Sequence, residues 1–188
     1  MPEWKYKLKE LPKSTGGEKW HPVTDALLTL RGYVTPEARE EFLSPNFDRD
    51  IHDPYLFLEM EKIVTRLGEA RKNLETVGVF GDFDADGVTS SVIMREALQA
   101  IGIPVEVYIP EKVNEGHGFN GLAVDFFESK GIKLVLTLDC GIMNHEVISD
   151  AKKRGIATIV IDHHHVPEVM PEAYAIVNPK VPTEKYPF

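Results

Sequence analysis

The sequence predicts an α/β protein in which a mostly parallel sheet carries helices on both faces. From residue 77 onwards, short apolar segments alternate with single helical segments. Three of the apolar segments end in an aspartate. The chain has 188 residues, enough for one such domain with its own core and a short additional segment.

Short helices and turns are predicted for the first fifty residues. HPVTDALLTLRGY is weakly amphipathic, and in TPEAREEFL Thr35 is a helix cap with Pro36 as the first helical residue. A longer helix follows in DPYLFLEMEKIVTRLGEARKNLET. It is predicted to pack one apolar row on the core, made of Leu56, Met60, Ile63, Val64, Leu67, Ala70 and Leu74. We therefore divide the chain into a helical lead segment, 1–50, and an α/β domain, 51–188.

The elements of the sheet follow in chain order. The predicted strands are VGVFGD, PVEVYIP, KLVLTLD, IATIVID and AYAIVNP. The predicted helices are VTSSVIMREALQAIG, NGLAVDFFESKG and NHEVISDAKKRG, the first of which ends near Gly102. Because single helices separate the first four strands, these strands are expected to run parallel.

Composition narrows the class of protein. The net charge of −9 argues against non-specific binding of polyanions, although acidic groups clustered round cations would reverse the local field. The 43% hydrophobic content is that of a folded protein. A single cysteine, Cys140, excludes an internal disulfide framework and fits the cytoplasm. No run approaches the roughly 18 apolar residues of a membrane span, so no membrane association is predicted.

Acidic residues stand at the ends of three predicted strands: Asp82, Asp139 and Asp162. In a parallel sheet the carboxyl ends of the strands share one edge, where ligands bind. Asp84 and Asp86 extend the first acid into D-x-D-x-D, and three histidines follow the last. Carboxylates this crowded repel each other unless a cation holds them. Mixed carboxylate and imidazole ligands favour Mn²⁺, Zn²⁺ or Fe²⁺, and their number predicts the two-ion arrangement used in phosphoryl chemistry.

Other interpretations of these acids fit less well. A calcium loop of the EF-hand type would need glutamate where Ile93 stands, and a helix where a strand is predicted. A receiver-type phosphoacceptor would need a lysine late in the sheet and has no use for the histidine run. Plain helix caps or turn residues would explain an acid at the end of one strand, but they explain acids at the ends of three strands less well. Cys140 could be a thiolate ligand, but a small buried residue is the better prediction.

With these residues, the chain resembles the DHH superfamily of phosphoesterases, and within it the RecJ-type single-strand-specific exonucleases. GDFDADGVTSS resembles the first motif, LTLDCGI the second and IDHHHVPE the third. The similarity continues in YIPEKVNEGHGFN, in AIVNPK and in FLSPNFDRDIHDPYLFLEMEKIVTRLGEA. The pyrophosphatase and small-nucleotide branches carry a histidine four positions before a metal aspartate. Phe80 stands there relative to Asp84, which favours the RecJ branch.

The resemblance implies metal ligands from all three motifs: Asp82, Asp84, Asp86, Asp139 and His163. Asp139 would bridge the two ions, and His164 would be a ligand or a phosphate contact. Asp162 would orient an imidazole without binding metal itself. His165 lies outside the three-letter motif and is not expected to bind metal.

Contacts to a substrate phosphate are expected from two further segments. The loop EGHGFN has glycines on both sides of His117, so backbone amides near Gly118 could approach a phosphate. A plain tight turn explains this loop equally well. Asn178 and Lys180 are weaker candidates for the same task.

By resemblance, the expected activity is hydrolysis of single-stranded DNA from its 5′ end, in DNA repair and recombination. Two Mn²⁺ or Mg²⁺ ions would be the cofactors, and repair or replication proteins the candidate partners. The alternatives are a DHH phosphodiesterase acting on short oligonucleotides or cyclic dinucleotides, and a scaffold without catalysis. The family's fourth motif, with another metal-binding aspartate, would lie beyond Phe188. Residues 51–188 are therefore expected to be an incomplete DHH subdomain, weakly active or inactive.

Overall fold

A helical unit forms the amino-terminal part of the chain. The computed structural model describes residues 19–187, and these divide into a unit that ends at Ile51 and a second that begins at His52. Residues 1–18 of the predicted lead segment lie outside the described residues. The first unit contains α1 (Pro22–Leu30), α2 (Pro36–Leu43) and the short α3 (Phe47–Asp50). Thr35 caps α2 by accepting a hydrogen bond from the Ala38 amide, as predicted.

A buried ion pair joins the first two helices of this unit. Arg39 of α2 has no exposed surface, and its guanidinium donates to the carboxylate of Asp25 in α1. The same side chain donates to the carbonyl of Tyr33 and to the hydroxyl of Thr29. Because removing one partner of a buried pair leaves an uncompensated charge, this contact ties α1 to α2.

A five-stranded, wholly parallel sheet organises the second unit and confirms the predicted fold class. The strands are β1 (Val77–Gly81), β2 (Val105–Tyr108), β3 (Leu134–Leu138), β4 (Ala157–Ile161) and β5 (Ala175–Val177). The helices are a 3₁₀ helix (Pro54–Leu56), α4 (Met60–Lys72), α5 (Ala85–Ala100), α6 (Gly121–Ser129) and α7 (His145–Lys153).

The order of the strands creates a crevice at one edge of the sheet. Along the sheet the order is β2-β1-β3-β4-β5, so the chain reverses direction between β1 and β3. Doubly wound sheets of this order bind ligands at the carboxyl ends of the strands, at this reversal. Helices α4 and α5 pack on one face of the sheet, and α6 and α7 on the other. Within the described residues, no helix has the length and hydrophobicity needed to cross a bilayer.

The predicted bounds of the longest helix are wrong at both ends. Only Met60–Lys72 is α-helical, because Pro54 begins a separate 3₁₀ helix and Leu74 adopts a left-handed backbone (φ 57°). The apolar row is therefore broken. Ile63 and Ala70 are buried, whereas three members of the row are exposed: Leu56, Val64 and Leu74.

Two glycines let α5 begin close against the end of β1. A Cβ atom on Gly87, in the first turn of α5, would lie 2.3 Å from the carbonyl oxygen of Asp82. A Cβ atom on Gly81 would lie 1.9 Å from the hydroxyl of Ser91. The glycine that follows D-x-D-x-D is thus required by the packing of strand on helix, which also sets the position of Asp82.

We predict that Gly87→Ala lowers the free energy of unfolding by about 3 kcal/mol, because the new methyl group has no space beside Asp82. Gly68→Ala in α4 is the matched control. Nothing lies within 4 Å of the added Cβ there, and alanine favours helix by about 0.5–1 kcal/mol. Urea unfolding of both variants measures the difference, and equal stabilities would contradict the packing argument.

Candidate metal centre

Three carboxylates lie next to one another at the crevice. Asp82 follows β1, Asp139 follows β3 and Asp162 follows β4, and these three strands are neighbours in the sheet. Their exposed fractions are only 5%, 8% and 6%. The structure therefore brings the acidic strand ends to one edge, where each buried charge needs a partner.

Asp139, His163 and His164 form the tightest cluster of potential ligands. One ligand atom from each lies within 4.8 Å of the others. Nε2 of His163 is 2.7 Å from Oδ1 of Asp139, and the two imidazole rings are 4.6 Å apart. More than half of each imidazole is exposed, while the carboxylate is buried. This set has the donor types and spacing of a site for a divalent transition-metal ion, open to solvent on one side.

The environment of Asp139 fits the binding of a cation. Burial raises the pKa of this carboxyl group, and the negative charge of Asp84 raises it further, while the hydrogen bond from His163 lowers it. Within residues 19–187, its ion-pair partner is an imidazole, not a lysine or arginine. A bound cation would relieve the repulsion between Asp139 and Asp84.

Asp162 is fully engaged by the protein and orients His164. Oδ1 accepts from the amides of His163 and His164 at 2.7 and 2.9 Å and from Nδ1 of His164 at 2.8 Å. Oδ2 accepts from the Ile142 amide at 3.0 Å. Burial raises the pKa of Asp162, but these hydrogen bonds outweigh it and lower the pKa. The same contact raises the pKa of His164 and leaves Nε2 of its ring free to face a ligand.

The three aspartates of the first motif have different surroundings, and their expected common role as metal ligands stays a prediction. Helix α5 begins at Ala85, before the predicted Val88, so Asp84 becomes its N-cap and Asp86 lies in its first turn. Asp84 accepts from the amides of Gly87 and Asp86 at 3.0 and 3.1 Å, and these bonds lower its pKa. Oδ2 of Asp82 faces His117 instead, 3.0 Å from its Nδ1. None of the three belongs to the 4.8 Å cluster.

Two clefts flank Asp139 and account for these positions. One of about 430 Å³ is lined by polar and apolar side chains of α5 and of the strand ends, among them Asp86, Asp139, Asp162 and His163. The other, of about 340 Å³, is lined by Asp82 and His164 and again by Asp139. Asp86 and Asp82 therefore each share a cleft with Asp139.

The expected phosphate contacts in the glycine loop are at the second cleft. His117 and Gly118 both line it, and the His117 side chain is exposed. Gly118 has φ +86° and packs against Asn144, so that an added Cβ would lie 2.9 Å from the Asn144 Oδ1. His117 is thus accessible to a ligand, while Gly118 is also required by packing.

The other two phosphate candidates are placed differently. Asn178 follows β5 and has no exposed surface. Its side chain donates to the His164 carbonyl at 3.0 Å and accepts from the Lys180 amide at 2.9 Å. Asn178 therefore supports the backbone of His164, and its expected contact to a substrate phosphate stays a prediction. Lys180 is exposed.

Comparison with known proteins identifies the family. Residues 76–185 match the DHH family, N-terminal domain. The chain belongs to the DHH family. It is 36% identical over 167 residues to the single-stranded-DNA-specific exonuclease RecJ of Bacillus subtilis (strain 168), which covers 89% of this chain and 21% of the relative. The chain thus spans about a fifth of the length of that relative.

Solved structures of RecJ share the fold of this DHH chain. A crystal structure of exonuclease RecJ bound to manganese matches with a TM-score of 0.63 and 31% identity, covering 69% of this chain and 33% of that one. RecJ from Thermus thermophilus in complex with Mn²⁺ matches with a TM-score of 0.60 and 26% identity, covering 87% and 22%. The resemblance read from the three motifs is confirmed.

Two side chains near the DHH motifs are poorly placed for a ligand role. His165 is exposed and lies outside the ligand cluster. Burial raises the pKa of the Cys140 thiol, and the surrounding carboxylates raise it further. This favours the small buried residue over the thiolate ligand.

Two features that hold the DHH site in position were not predicted from the sequence. The Asn144 side chain accepts from the Phe119 amide at 3.2 Å, although its position before α7 is typical of a helix cap. Asp139 has a left-handed backbone (φ 60°), which no local signal in the sequence indicates. Both features depend on contacts between distant segments.

We predict that Cys140 reacts with a thiol reagent about 100-fold more slowly in the native protein than in denaturant, because its thiol is buried and its pKa raised. Cys140→Ala is expected to bind Mn²⁺ as the unaltered protein does. Stopped-flow labelling and calorimetry measure the two properties. Rapid labelling that Mn²⁺ suppresses would instead identify the thiolate as a ligand.

Proposed function

We propose that this DHH protein hydrolyses phosphodiester bonds of single-stranded DNA from the 5′ end, with Mn²⁺ or Mg²⁺ as cofactor. The observation that carries the proposal is the cluster of Asp139, His163 and His164 at the carboxyl ends of β3 and β4, beside the reversal point of the sheet. The RecJ relatives act on single-stranded DNA by name, and two of their solved structures contain manganese. Activity, substrate and partners of the whole protein are therefore proposed by similarity.

The proposed cation ligands are the members of this cluster, joined by carboxylates on either side. Asp84 is close enough to Asp139 for its charge to raise the pKa of that group. Asp82 and Asp86 line the flanking clefts and are proposed to complete two ion sites. Imidazole and carboxylate together suit Mn²⁺, and the buried carboxylate of Asp139 is the proposed bridge.

The chain's own residues would position a phosphate between the two clefts. A bound divalent cation supplies Lewis acidity, which makes water a better nucleophile and offsets negative charge. Asp162 holds His164 through Nδ1, so Nε2 is the ring nitrogen left for a ligand, and His164 lines the second cleft. There it would hold a cation or donate to a non-bridging phosphate oxygen. Asn178 keeps the backbone of His164 in place from the buried side.

The remaining proposals concern DNA affinity, partners, location and the division of the chain. The net charge of −9 opposes DNA binding unless cations occupy the acidic edge, which makes affinity for DNA dependent on metal. Repair or replication proteins are the proposed partners, and the cytoplasm the proposed location. The division into a lead segment, 1–50, and a DHH subdomain, 51–188, is also a proposal.

Asp139→Asn tests the bridging carboxylate. We predict that it weakens Mn²⁺ binding by more than about 100-fold, because the charge is lost while asparagine still tolerates the left-handed backbone. Asp125→Asn, at an exposed position on α6, is the matched control and is expected to bind Mn²⁺ normally. Isothermal titration calorimetry measures both. Unchanged stoichiometry and affinity in Asp139→Asn would rule out the bridging role.

A substrate comparison tests the reaction. With Mn²⁺ we expect slow release of nucleotides, because the chain spans only about a fifth of its RecJ relative. Label at the 5′ end of single-stranded DNA should be released before label at the 3′ end, and Asp139→Asn should release none. A blunt duplex should be resistant. Faster hydrolysis of a dinucleotide or a cyclic dinucleotide than of a long strand would favour the short-substrate phosphodiesterase. Mn²⁺ binding without hydrolysis of any substrate would favour the scaffold.

A further inference from the structure

A short arch over the crevice carries His117. The arch, residues 115–119, lies between β2 and α6, and the glycines on both sides of His117 have left-handed backbones (φ 74° at Gly116 and 86° at Gly118). Nδ1 of His117 is 3.0 Å from Oδ2 of Asp82, and its ring packs 4.2 Å from that of Phe83. The arch thus sets an imidazole directly against a candidate metal ligand.

Glu115 anchors the first end of the arch through three hydrogen bonds. Oε2 accepts from the hydroxyl of Tyr108 at 2.7 Å and from the side chain of Asn120 at 3.1 Å. Oε1 accepts from the Glu111 amide at 2.9 Å. Burial raises the pKa of Glu115, but these bonds outweigh it and lower the pKa, so the group is an ionised acceptor. It joins the end of β2, the loop and the start of α6.

Asn144 anchors the second end of the arch, at Phe119. Its Oδ1 accepts from the Phe119 amide at 3.2 Å, and its side chain fills the space beside Gly118. Although Asn144 precedes α7, its side chain makes no cap hydrogen bond to that helix. The amide group is therefore used to link the arch to the turn that follows Asp139.

The contact between His117 and Asp82 needs these anchors. The imidazole is exposed, so water screens one side of its pair with the buried Asp82 carboxylate, and Oδ1 of Asp82 also accepts from the Phe83 amide at 2.7 Å. Ordering a loop segment with two glycines costs more conformational entropy than such a pair returns. The imidazole would leave Asp82 if nothing else held the arch.

We propose that Glu115 and Asn144 are positioning residues that hold His117 against Asp82 and so fix the direction of the Asp82 carboxylate. The inference that Glu115 and Asn144 hold His117 in place depends only on the hydrogen bonds given above. Its consequence for catalysis rests on the proposed function, because Asp82 matters there as a ligand. Loss of a residue that orients a metal ligand typically costs 10–100-fold in affinity or activity.

Matched variants separate positioning from general loop stability. Glu115→Gln keeps the shape but places an amide nitrogen where a donor already points, and Asn144→Ala removes the acceptor of the Phe119 amide. Asn144→Asp keeps that acceptor and should rescue the contact. Glu111→Gln makes the same chemical change at an exposed side chain in the same loop, whose carboxylate accepts from Asn114 and not from Tyr108 or Asn120.

The first measurement is the ¹⁵N NMR signal of the His117 ring in metal-free protein, assigned with His117→Gln. We expect the signal to move toward that of a free histidine in Glu115→Gln and Asn144→Ala, and to stay in place in Asn144→Asp and Glu111→Gln. An unmoved signal in both anchor variants overturns the proposal. So does a signal that moves equally in Glu111→Gln, or unfolding of both anchor variants while Glu111→Gln stays folded.

The second measurement is Mn²⁺ affinity and KM for single-stranded DNA. Glu115→Gln is expected to lower affinity or raise KM by about 10-fold, with Glu111→Gln unchanged. If the unaltered protein binds no Mn²⁺, the proposed function fails, yet the His117 signal still decides the positioning role. If Mn²⁺ binding is normal throughout and the His117 signal does not respond, only the positioning role fails.

Discussion

Burying carboxylates side by side is the constraint on which the site depends. Asp82, Asp139 and Asp162 are each less than a tenth exposed, and a buried charge without a partner is costly. Backbone amides satisfy Asp162, Asp82 is shared between the Phe83 amide and His117, and Asp139 relies on His163. Burial raises the pKa of Asp139, whereas hydrogen bonds lower that of Asp162. A cation placed beside Asp139 would relieve the largest uncompensated cost at this edge.

The topology of the sheet explains why these acids meet. The chain reverses direction between β1 and β3, so no connecting helix covers the carboxyl ends at that point. Helix α5 can begin immediately after β1 because Gly81 and Gly87 allow close contact. Asp84 then caps the helix and still faces Asp139. Strand ends and a helix start are rigid, and a site built on them keeps its geometry.

The side chains that hold the candidate ligands in position are part of the site as much as the ligands are. Asp162 and Asn178 hold His164 through its ring and its backbone, and neither needs to touch a ligand. Glu115 and Asn144 act similarly on the arch that carries His117. These supports come from different strands and loops, so the site is sensitive to changes in side chains outside the three DHH motifs. The manganese-bound RecJ structures share this fold and are the natural comparison for each support.

The sequence by itself determined the fold class, the order of strands and helices, the DHH family and the acidic edge, because alternating apolar segments and strand-end aspartates are local patterns. Tertiary structure decided what each acid does. Asp84 became a helix cap, Asp82 turned to His117, and Asn178 was buried, since side-chain direction depends on contacts between segments far apart in the chain. Leu74 is a similar case in the fold. Its helical spacing predicted a core residue, but its left-handed backbone ends the helix and leaves the side chain exposed.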